Sequence, residues 1–227
     1  MTLRNDAAWG AVAAYYEERV REHGATPWGV DWTCEPTQQL RFVQLLKVVR
    51  ARGAFSLNDL GCGYGALLPF VRSRLPGPVD YLGVDVSPRM IAAARQQDRH
   101  AAFHVSATLP RVADYSVASG VFNVQLGFSP RVWRGYVKDT LRELARASRR
   151  AFAVNFILPP RPGVEPLEGL YRTRPATWAA FCAGEFGAGV EVVQGYGLRE
   201  FTLLVRLPSR AARRGASGRV PSSRTAP

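Results

Sequence analysis

The stretch Phe-Ser-Leu-Asn-Asp-Leu-Gly-Cys-Gly-Tyr-Gly-Ala-Leu-Leu at residues 55–68 decides the fold. Its apolar run ends at an acidic residue, and three glycines then follow at alternate positions. Glycine adopts the positive φ angles that a direct turn from strand to helix requires, and it lets a ligand approach the backbone closely. The N–H groups at the start of the next helix point back at this loop. The stretch therefore predicts a strand, a ligand-binding turn and a helix.

Two cofactor patterns match this loop. The NAD-binding pattern G-x-G-x-x-G/A fits at Gly61, Gly63 and Ala66. The acid-x-Gly-x-Gly-x-Gly pattern of proteins that bind S-adenosylmethionine (SAM) fits from Asp59 to Gly65. A carboxylate would repel the pyrophosphate of NAD, whereas it attracts the sulfonium and ammonium groups of SAM by about 1 kcal/mol at about 4 Å in water. Asp59 therefore favours SAM over NAD.

A second acidic strand end supports this interpretation. Residues 80–85 predict a strand that ends at Asp85, and Ser87 and Pro88 are typical of the first positions of a helix. Asp85 follows Gly61 by 24 residues, close to the spacing of an acid that binds ribose hydroxyls. The alternative is a solvent-facing loop acid, which the glycine loop upstream disfavours.

The motifs at residues 59–65 and 83–90 resemble those of the class I SAM-dependent methyltransferases, and the resemblance covers roughly residues 40–207. A small bacterial member that acts on small molecules is the most similar type. The resemblance implies an α/β, Rossmann-like fold with seven strands. The sheet would be mostly parallel, with helices on both faces and the last strand inserted antiparallel. It also implies SAM as the methyl donor.

The resemblance and the loop positions together predict the cofactor contacts. Ser106 stands where relatives often have an acid that binds the adenine amino group, so its hydroxyl is the expected substitute. The full predicted set is Asp59, Gly61, Cys62, Gly63, Gly65, Asp85, Val86, Ser106 and Ser119.

The sequence identifies no catalytic base. Asn123 and Tyr16 are candidates for the acceptor pocket, while lone histidines such as His23 and His104 are more often structural. Asn155 is a polar residue inside a strand pattern, so it must find partners in the fold. Either a neighbouring loop or the pocket can supply them.

The loop after the fourth strand bears on the acceptor. Residues 119–123 lack the Asn/Asp-Pro-Pro-aromatic sequence of the enzymes that methylate nucleic-acid amino groups. This absence favours methyl transfer to O or N of a small metabolite. Two alternatives stay open: an RNA or protein methyltransferase, and a non-catalytic protein that binds SAM or a dinucleotide.

The charge is strongly basic, with 30 Lys and Arg residues against 18 Asp and Glu residues and a net charge of +12. Such a charge raises non-specific affinity for polyanions without making nucleic acid the substrate. Residues 208–227 hold five arginines and no acid, and their composition predicts disorder. We therefore expect three parts: an N-terminal helical cap with an aromatic segment (1–50), the SAM-binding domain (51–207) and the basic tail (208–227).

The aromatic segment at residues 25–32 contains Trp28 and Trp32, which predict either a lid over the cofactor cleft or an anchor for the N-terminal arm. A second segment, residues 159–173, follows the fifth strand and is predicted to form a mobile flap. Periodicity predicts the remaining elements. The helices are at 7–23, 35–52, 130–148 and 175–182, and the strands are at 100–105, 113–124 (the fourth strand with its exit), 151–158, 190–197 and 199–206.

Three widely spaced cysteines form neither a zinc pattern nor a disulfide framework, so no metal is expected. No apolar stretch approaches about 18 residues, and the first residues are polar, so neither a membrane span nor a signal peptide is expected. These observations predict a cytoplasmic protein. The oligomeric state cannot be derived from the sequence.

Overall fold

The fold is given by a computed structural model, which describes residues 3–32 and 34–209. Within these residues one mixed sheet of seven strands has the order β3-β2-β1-β4-β5-β7-β6. The strands are β1 (Phe55–Leu60), β2 (Val79–Asp85), β3 (Ala102–Val105), β4 (Ala113–Ala118), β5 (Ser148–Ile157), β6 (Gly189–Gln194) and β7 (Glu200–Arg206). The helices are α1 (Leu3–His23), α2 (Glu35–Leu46), α3 (Leu67–Arg74), α4 (Pro88–Gln97), α5 (Pro130–Arg146) and α6 (Pro175–Phe186), with a 3-10 helix at Pro27–Val30.

The strand directions confirm the predicted architecture. The pairs β1–β2, β1–β4, β2–β3 and β4–β5 are parallel, while β7 runs antiparallel between β5 and β6. A tight turn through Gly195 and Gly197, both at positive φ, joins β6 to β7 and inserts the last strand. Because β1 and β4 are adjacent and lead to opposite sides of the sheet, their carboxyl ends open the crevice where ligands bind in this architecture.

Apolar side chains cover both faces of the sheet. Val117 and Ala153 pack on one face, while Phe152 and Val154 pack with the buried side of α5 on the other. A strand that is covered on both faces has a nearly continuous apolar run, and residues 151–154 of β5 form such a run. The helices therefore cover both faces, as predicted.

Several boundaries differ from the predicted ones. Helix α2 ends at Leu46 rather than near residue 52, because the N–H groups of Val48 and Val49 turn back to Leu45 and Leu46. Strand β5 begins at Ser148, which pairs with Ala113 of β4. The strand therefore includes Arg149 and Arg150, whose charges pair with Asp114. Helix α6 continues to Phe186 and ends at a glycine with left-handed backbone angles.

Helix α1 begins at Leu3, four residues before its predicted start, and lies against α4 and α5. Its predicted apolar stripe is observed: Val12 and Val20 are buried, and Trp9 packs edge-on against Tyr136 of α5 at 4.7 Å. This placement carries the N-terminal helix over the carboxyl end of the sheet. Residues 210–227 of the predicted basic tail lie outside the described residues.

None of the described helices combines the length and the apolar character needed to cross a membrane.

Candidate active site

A cleft of about 800 Å³, its open mouth included, lies beyond the carboxyl ends of β1, β2 and β4. Eight of the nine predicted cofactor residues line it, and the exception is Gly65. The sheet side is lined by Asp59, Leu60, Gly61, Cys62, Gly63, Asp85, Val86, Ser106, Ser119, Gly120 and Val121. The helical side is lined by Trp9, Val12, Tyr16, Val30, Trp32, Gln38, Phe42, Tyr64, Ala66, Leu67, Met90 and Tyr136.

The glycine loop has the backbone that its sequence predicts. Gly61 and Gly63 have φ angles of 72° and 53°. A Cβ on Gly61 would lie 2.4 Å from Val121 Cγ1, so this position has no room for a side chain. Gly65 also has a positive φ angle, 85°, and a Cβ there would lie 3.1 Å from the Phe103 ring and 3.2 Å from Ala94. The close approach of the glycine loop to α4 and β3 therefore requires the third glycine.

Asp85 joins the two loops that follow β1 and β2. Its Oδ2 accepts the Gly63 N–H at 2.9 Å, and its Oδ1 accepts the Ser87 N–H at 2.9 Å. The side chain is buried at the wall of the cleft. Burial raises the pKa of this carboxyl, although the backbone donors oppose the change. A carboxylate has about four acceptor sites, so both oxygens keep capacity for ligand hydroxyls.

Asp59 is more deeply enclosed, at 2% exposure, and its Oδ2 accepts the Tyr81 hydroxyl at 2.7 Å. Burial raises the pKa of Asp59 to about 7, the Tyr81 hydrogen bond lowers it, and the nearby Asp85 charge raises it. Burial also raises the pKa of the Cys62 thiol in the same loop, which therefore stays protonated. A cationic ligand would reverse the effect on Asp59, because it stabilises the ionised carboxylate.

Two serines of the cleft differ in how far their hydrogen bonds are satisfied. Ser106 donates to the Thr108 carbonyl at 2.8 Å and accepts the Thr108 N–H at 3.0 Å, so its hydroxyl stabilises a local turn. The Oγ of Ser119 is buried and has no hydrogen-bond partner among the described residues. An unpaired buried hydroxyl costs about 1–3 kcal/mol, a cost that a polar ligand group in the cleft would remove.

The cap over the cleft is tied down by specific contacts. Glu17 of α1 accepts the Ser87 hydroxyl at 2.6 Å and the Arg89 N–H at 3.0 Å, at the start of α4. Trp32 is buried and lines the cleft, which agrees with the predicted anchor, while its role as a lid stays a prediction. Trp28, in contrast, is 55% exposed. Of the two tryptophans, only Trp32 contributes to the cleft.

A buried polar chain supports the loop after β4. Asn155 Oδ1 accepts the Gly120 N–H at 2.8 Å, and its Nδ2 donates to Glu200 Oε2 at 2.8 Å. Glu200 pairs with Arg41, whose guanidinium lies 3.8 Å from the centre of the Trp32 ring. Asn155 therefore bonds to a neighbouring loop, one of its two predicted roles. In the sequence, Asn155 and Glu200 are an amide and an acid within apolar strands, which indicates that each needs a polar partner. The sequence does not indicate which residue that partner is.

The candidate residues on the acceptor side occupy different positions. Tyr16 lines the cleft, and burial raises its pKa well above 10, so the hydroxyl acts as a donor rather than as a phenolate base. Asn123 is buried next to Gly120 but is not among the residues that line the cleft, and Ser129 rather than Asn123 caps α5. His23 and His104 do not line the cleft either.

The cleft residues fit SAM on three counts. The glycine cradle leaves no space for side chains beneath a ligand. Asp59 and Asp85 are two carboxylates that suit a cation and a ribose diol, respectively. Ser119 offers an unpaired hydroxyl. No group of three His, Cys, Asp or Glu side chains in the described part of the chain is arranged to hold a metal ion.

Comparisons with known proteins agree with this geometry. Residues 58–151 match the family described as "Methyltransferase domain". Over 167 residues the chain is 41% identical to "Putative methyltransferase Rv1506c" of Mycobacterium tuberculosis. That match covers 72% of this chain and 100% of the relative.

Solved structures with the same fold include three methyltransferases. Magnesium protoporphyrin IX methyltransferase from Synechocystis, with bound S-adenosylhomocysteine, has a TM-score of 0.59 and 14% identity and covers 89% of this chain and 99% of its own. N-methyltransferase NodS from Bradyrhizobium japonicum has a TM-score of 0.55 and 15% identity, with coverages of 77% and 98%. Small RNA methyltransferase HEN1 has a TM-score of 0.55 and 18% identity, with coverages of 77% and 25%. The fold is therefore shared by enzymes with different acceptors. With the matching family and the relative at 41% identity, it shows that the chain belongs to the class I SAM-dependent methyltransferases.

Proposed function

We propose that this enzyme transfers the methyl group of SAM to O or N of a small metabolite. The observation that carries the proposal is the lining of the cleft: its helical side is largely aromatic and apolar, and no described lining residue is Arg, Lys or His. A concave lining that is mainly apolar and aromatic, with a few polar groups, is typical of small-molecule sites. Residues 1–50 then act as the cap that closes the pocket over the domain at 51–207.

Charge separates this proposal from its main alternative. Methylation of RNA or protein is suggested by the net charge of +12. Yet the ionisable side chains that line the cleft at neutral pH are the acids Asp59 and Asp85. A phosphate group entering the cleft would meet these acids without a compensating cation, which is unfavourable at low dielectric. The net positive charge therefore explains non-specific attraction of polyanions to the surface better than it supports a polyanion as the methyl acceptor.

The residues of the chain divide the work as follows. SAM, when bound, supplies an electrophilic methyl group on a sulfonium. Asp85 would hold the ribose hydroxyls, Asp59 would face the cationic methionine part, and Val86 and Ser106 would contact the adenine. Ser119 would bind the polar end of the methionine part. The cap excludes water and positions the acceptor, and positioning of this kind can supply several kcal/mol.

Cofactor binding should depend on pH through Asp59. Without a bound cation beside it, this carboxyl is largely protonated below about pH 7. A bound cation favours the ionised form, so binding should release a proton and strengthen as pH rises. We expect the affinity for SAM to increase roughly eightfold between about pH 6 and pH 7.5, as linkage requires for a free-state pKa near 7. Calorimetry in two buffers of different ionisation enthalpy measures the proton release directly.

The matched control for this prediction is Asp59→Asn, which keeps the size of the side chain and removes the titration. At the upper end of the pH range, the variant should bind SAM more weakly than wild type does. Its affinity should also lack the rise with pH that the titration of Asp59 gives to wild type. An identical pH profile in both proteins would show that another group is responsible.

The acceptor class can be tested with SAM that carries a deuterated methyl group. The enzyme is incubated separately with the small-molecule, RNA and protein fractions of one cell extract. Mass spectrometry then locates the label. We expect label in the small-molecule fraction with wild-type enzyme and none with Asp85→Asn. Label confined to RNA or protein would overturn the proposal.

A further inference from the structure

The strand order divides the cofactor cleft into two sides. Asp85 and Val86 follow β2 on one side of β1, whereas Ser119, Gly120 and Val121 follow β4 on the other side. In the proposed binding mode the adenosine part of SAM occupies the β2 side. The β4 side is therefore left for the methyl group and its acceptor.

Aromatic side chains form the helical wall of the β4 side. The Tyr136 hydroxyl of α5 donates to the Val121 carbonyl at 3.2 Å, and Trp9 packs edge-on against the Tyr136 ring. Both aromatic residues line the cleft, as does Trp32 of the cap. Walls of this kind favour an aromatic ligand, because aromatic rings gain free energy from stacked and edge-to-face contacts.

The indole ring of Trp32 is supported at two places. The Arg41 guanidinium lies 3.8 Å from the centre of the ring, and Arg41 does not line the cleft, so the ring separates this cation from the cleft. The edge of the same ring rests on Gly120, where a Cβ would lie 2.5 Å from Cζ2 and 2.7 Å from Cη2 of the indole. The close approach of Trp32 therefore requires a glycine at position 120.

Hydrogen bonds connect these two supports to each other. Arg41 pairs with Glu200, whose Oε2 accepts from Asn155 Nδ2 at 2.8 Å. Asn155 Oδ1 accepts the Gly120 N–H at 2.8 Å. The contacts thus run in a closed circuit from Trp32 through Arg41, Glu200, Asn155 and Gly120 and back to Trp32. A ring that is held in this way has little freedom left to lose when a ligand stacks on it.

The segment predicted to be a flap over the active site supports the loop after β4 instead. Residues 159–173 contribute no side chain to the cofactor cleft. The Gln125 N–H donates to the Gly169 carbonyl at 2.7 Å, and the Tyr171 N–H donates to the Asn123 carbonyl at 2.8 Å. These bonds hold the loop that carries the glycine of the circuit. The mobility of the segment stays a prediction.

We propose that Trp32 determines the specificity for the acceptor and that the acceptor is a flat aromatic molecule. Its ring stacks on the indole on the side away from Arg41, and an O or N atom on that ring faces the methyl group of SAM. A saturated ring system of the same skeleton is thicker and gains no stacking, so it binds less well. This inference rests on the proposed small-molecule function.

Two probes with one carbon skeleton test the selection: 2-naphthol is flat and aromatic, and decahydro-2-naphthol is its saturated counterpart. Each is titrated into protein saturated with S-adenosylhomocysteine, and binding is followed by protein-detected NMR. We expect 2-naphthol to bind about fivefold or more tightly, since aromatic pairs gain free energy beyond the area that they bury. Its ring should also shift the indole N–H resonance of Trp32. Equal binding, a preference for the saturated probe or no binding of 2-naphthol would overturn the inference.

Trp32→Leu should abolish the preference for 2-naphthol, because leucine keeps an apolar side chain and removes the ring. Trp32→Phe keeps a smaller ring and should retain part of the preference. Trp28→Leu is the matched control, since Trp28 is 55% exposed and does not line the cleft. A wild-type preference in Trp32→Leu would refute the role of Trp32.

A second pair of variants moves the ring without removing it. Gly120→Ala places a Cβ against the indole and should reduce the preference. Gly127→Ala is its control, because Gly127 has a similar φ angle of 70° and nothing lies within 4 Å of the added Cβ. In the Trp32→Phe background, Gly120→Ala should reduce the preference no further, because phenylalanine lacks the two indole carbons that the Cβ meets. An undiminished preference in Gly120→Ala would contradict the placement of the ring.

The same samples separate this inference from the proposed function. S-adenosylhomocysteine is titrated into each variant first, so that the two probes are always compared in saturated protein. If S-adenosylhomocysteine binds wild type and the two probes do not differ, the aromatic selection fails and the small-molecule function stands. If deuterated label appears only in RNA or protein, the proposed function fails whatever the probes show.

Discussion

Asp85→Asn should weaken the binding of SAM and of S-adenosylhomocysteine by about 100-fold or more. The carboxylate accepts N–H groups from Gly63 and Ser87, and it has acceptor sites left for both ribose hydroxyls. The asparagine amide has an NH₂ group, a donor, in place of one of these oxygens. That NH₂ group would face a backbone N–H, which is also a donor. Loss of two hydrogen bonds to a charged group, at about 1.5 kcal/mol or more each, gives the expected factor. Calorimetric titration of both ligands measures it.

Asp80→Asn is the matched control, because Asp80 lies on the same strand but its side chain is 68% exposed and pairs with Arg111 at the surface. Its ligand affinity should equal that of wild type, and both variants should show the same circular dichroism. An Asp85→Asn protein that binds within about threefold of wild type would show that ribose is held elsewhere, since that factor is less than one hydrogen bond is worth.

Arg41→Met should lower the free energy of unfolding by about 3–5 kcal/mol, because it leaves the buried Glu200 charge without its cation. The side chains of Arg41 and Glu200 are 9% and 6% exposed. Arg41 Nε also lies within 3.0 Å of both Glu200 oxygens. A loss of this size is a large part of the stability of an ordinary domain, which is about 5–15 kcal/mol. Urea unfolding followed by fluorescence measures it.

Two further variants show whether the unpaired charge is the cause. Arg72→Met removes an exposed arginine that pairs with Asp98, and it should cost about 1 kcal/mol or less. The double variant Arg41→Met with Glu200→Gln removes both charges and keeps an acceptor for Asn155, so it should recover much of the stability. If the double variant is as unstable as Arg41→Met, the loss comes from packing rather than from the unpaired carboxylate.

Much of the fold was predictable because it depends on local chemistry. The glycine loop at 61–65, the acid at each strand end and the Ser-Pro start of α4 are neighbours in sequence, and each has one dominant physical explanation. Eight of the nine predicted cofactor residues line the cleft for this reason. The titrations of SAM into Asp85→Asn and Asp59→Asn test whether these residues bind it.

The rest depends on contacts between distant residues. Arg41 and Glu200 are 159 residues apart, and Asn155 of β5 accepts the N–H of Gly120, which follows the neighbouring strand β4 and lies 35 residues away in the chain. No periodicity or spacing reports such pairs, because each side chain alone fits several environments. Gly65 matched a ligand-binding pattern, yet in the fold its lack of a side chain lets the glycine loop pack against α4 and β3.

By itself, the sequence predicted the class of fold through its resemblance to the class I methyltransferases. The glycine loop and the acidic strand ends predicted the cofactor, because glycine angles and charge constrain a backbone and its ligand locally. Tertiary structure decided which face of the N-terminal helix closes the cleft and that Trp32 rather than Trp28 lines it. It also placed Asp31 outside the lining of the cofactor cleft, although the next residue, Trp32, belongs to that lining. The physical reason is that burial and pairing are properties of the assembled sheet and helices, and an unpaired buried oxygen exists only once the chain has folded around it.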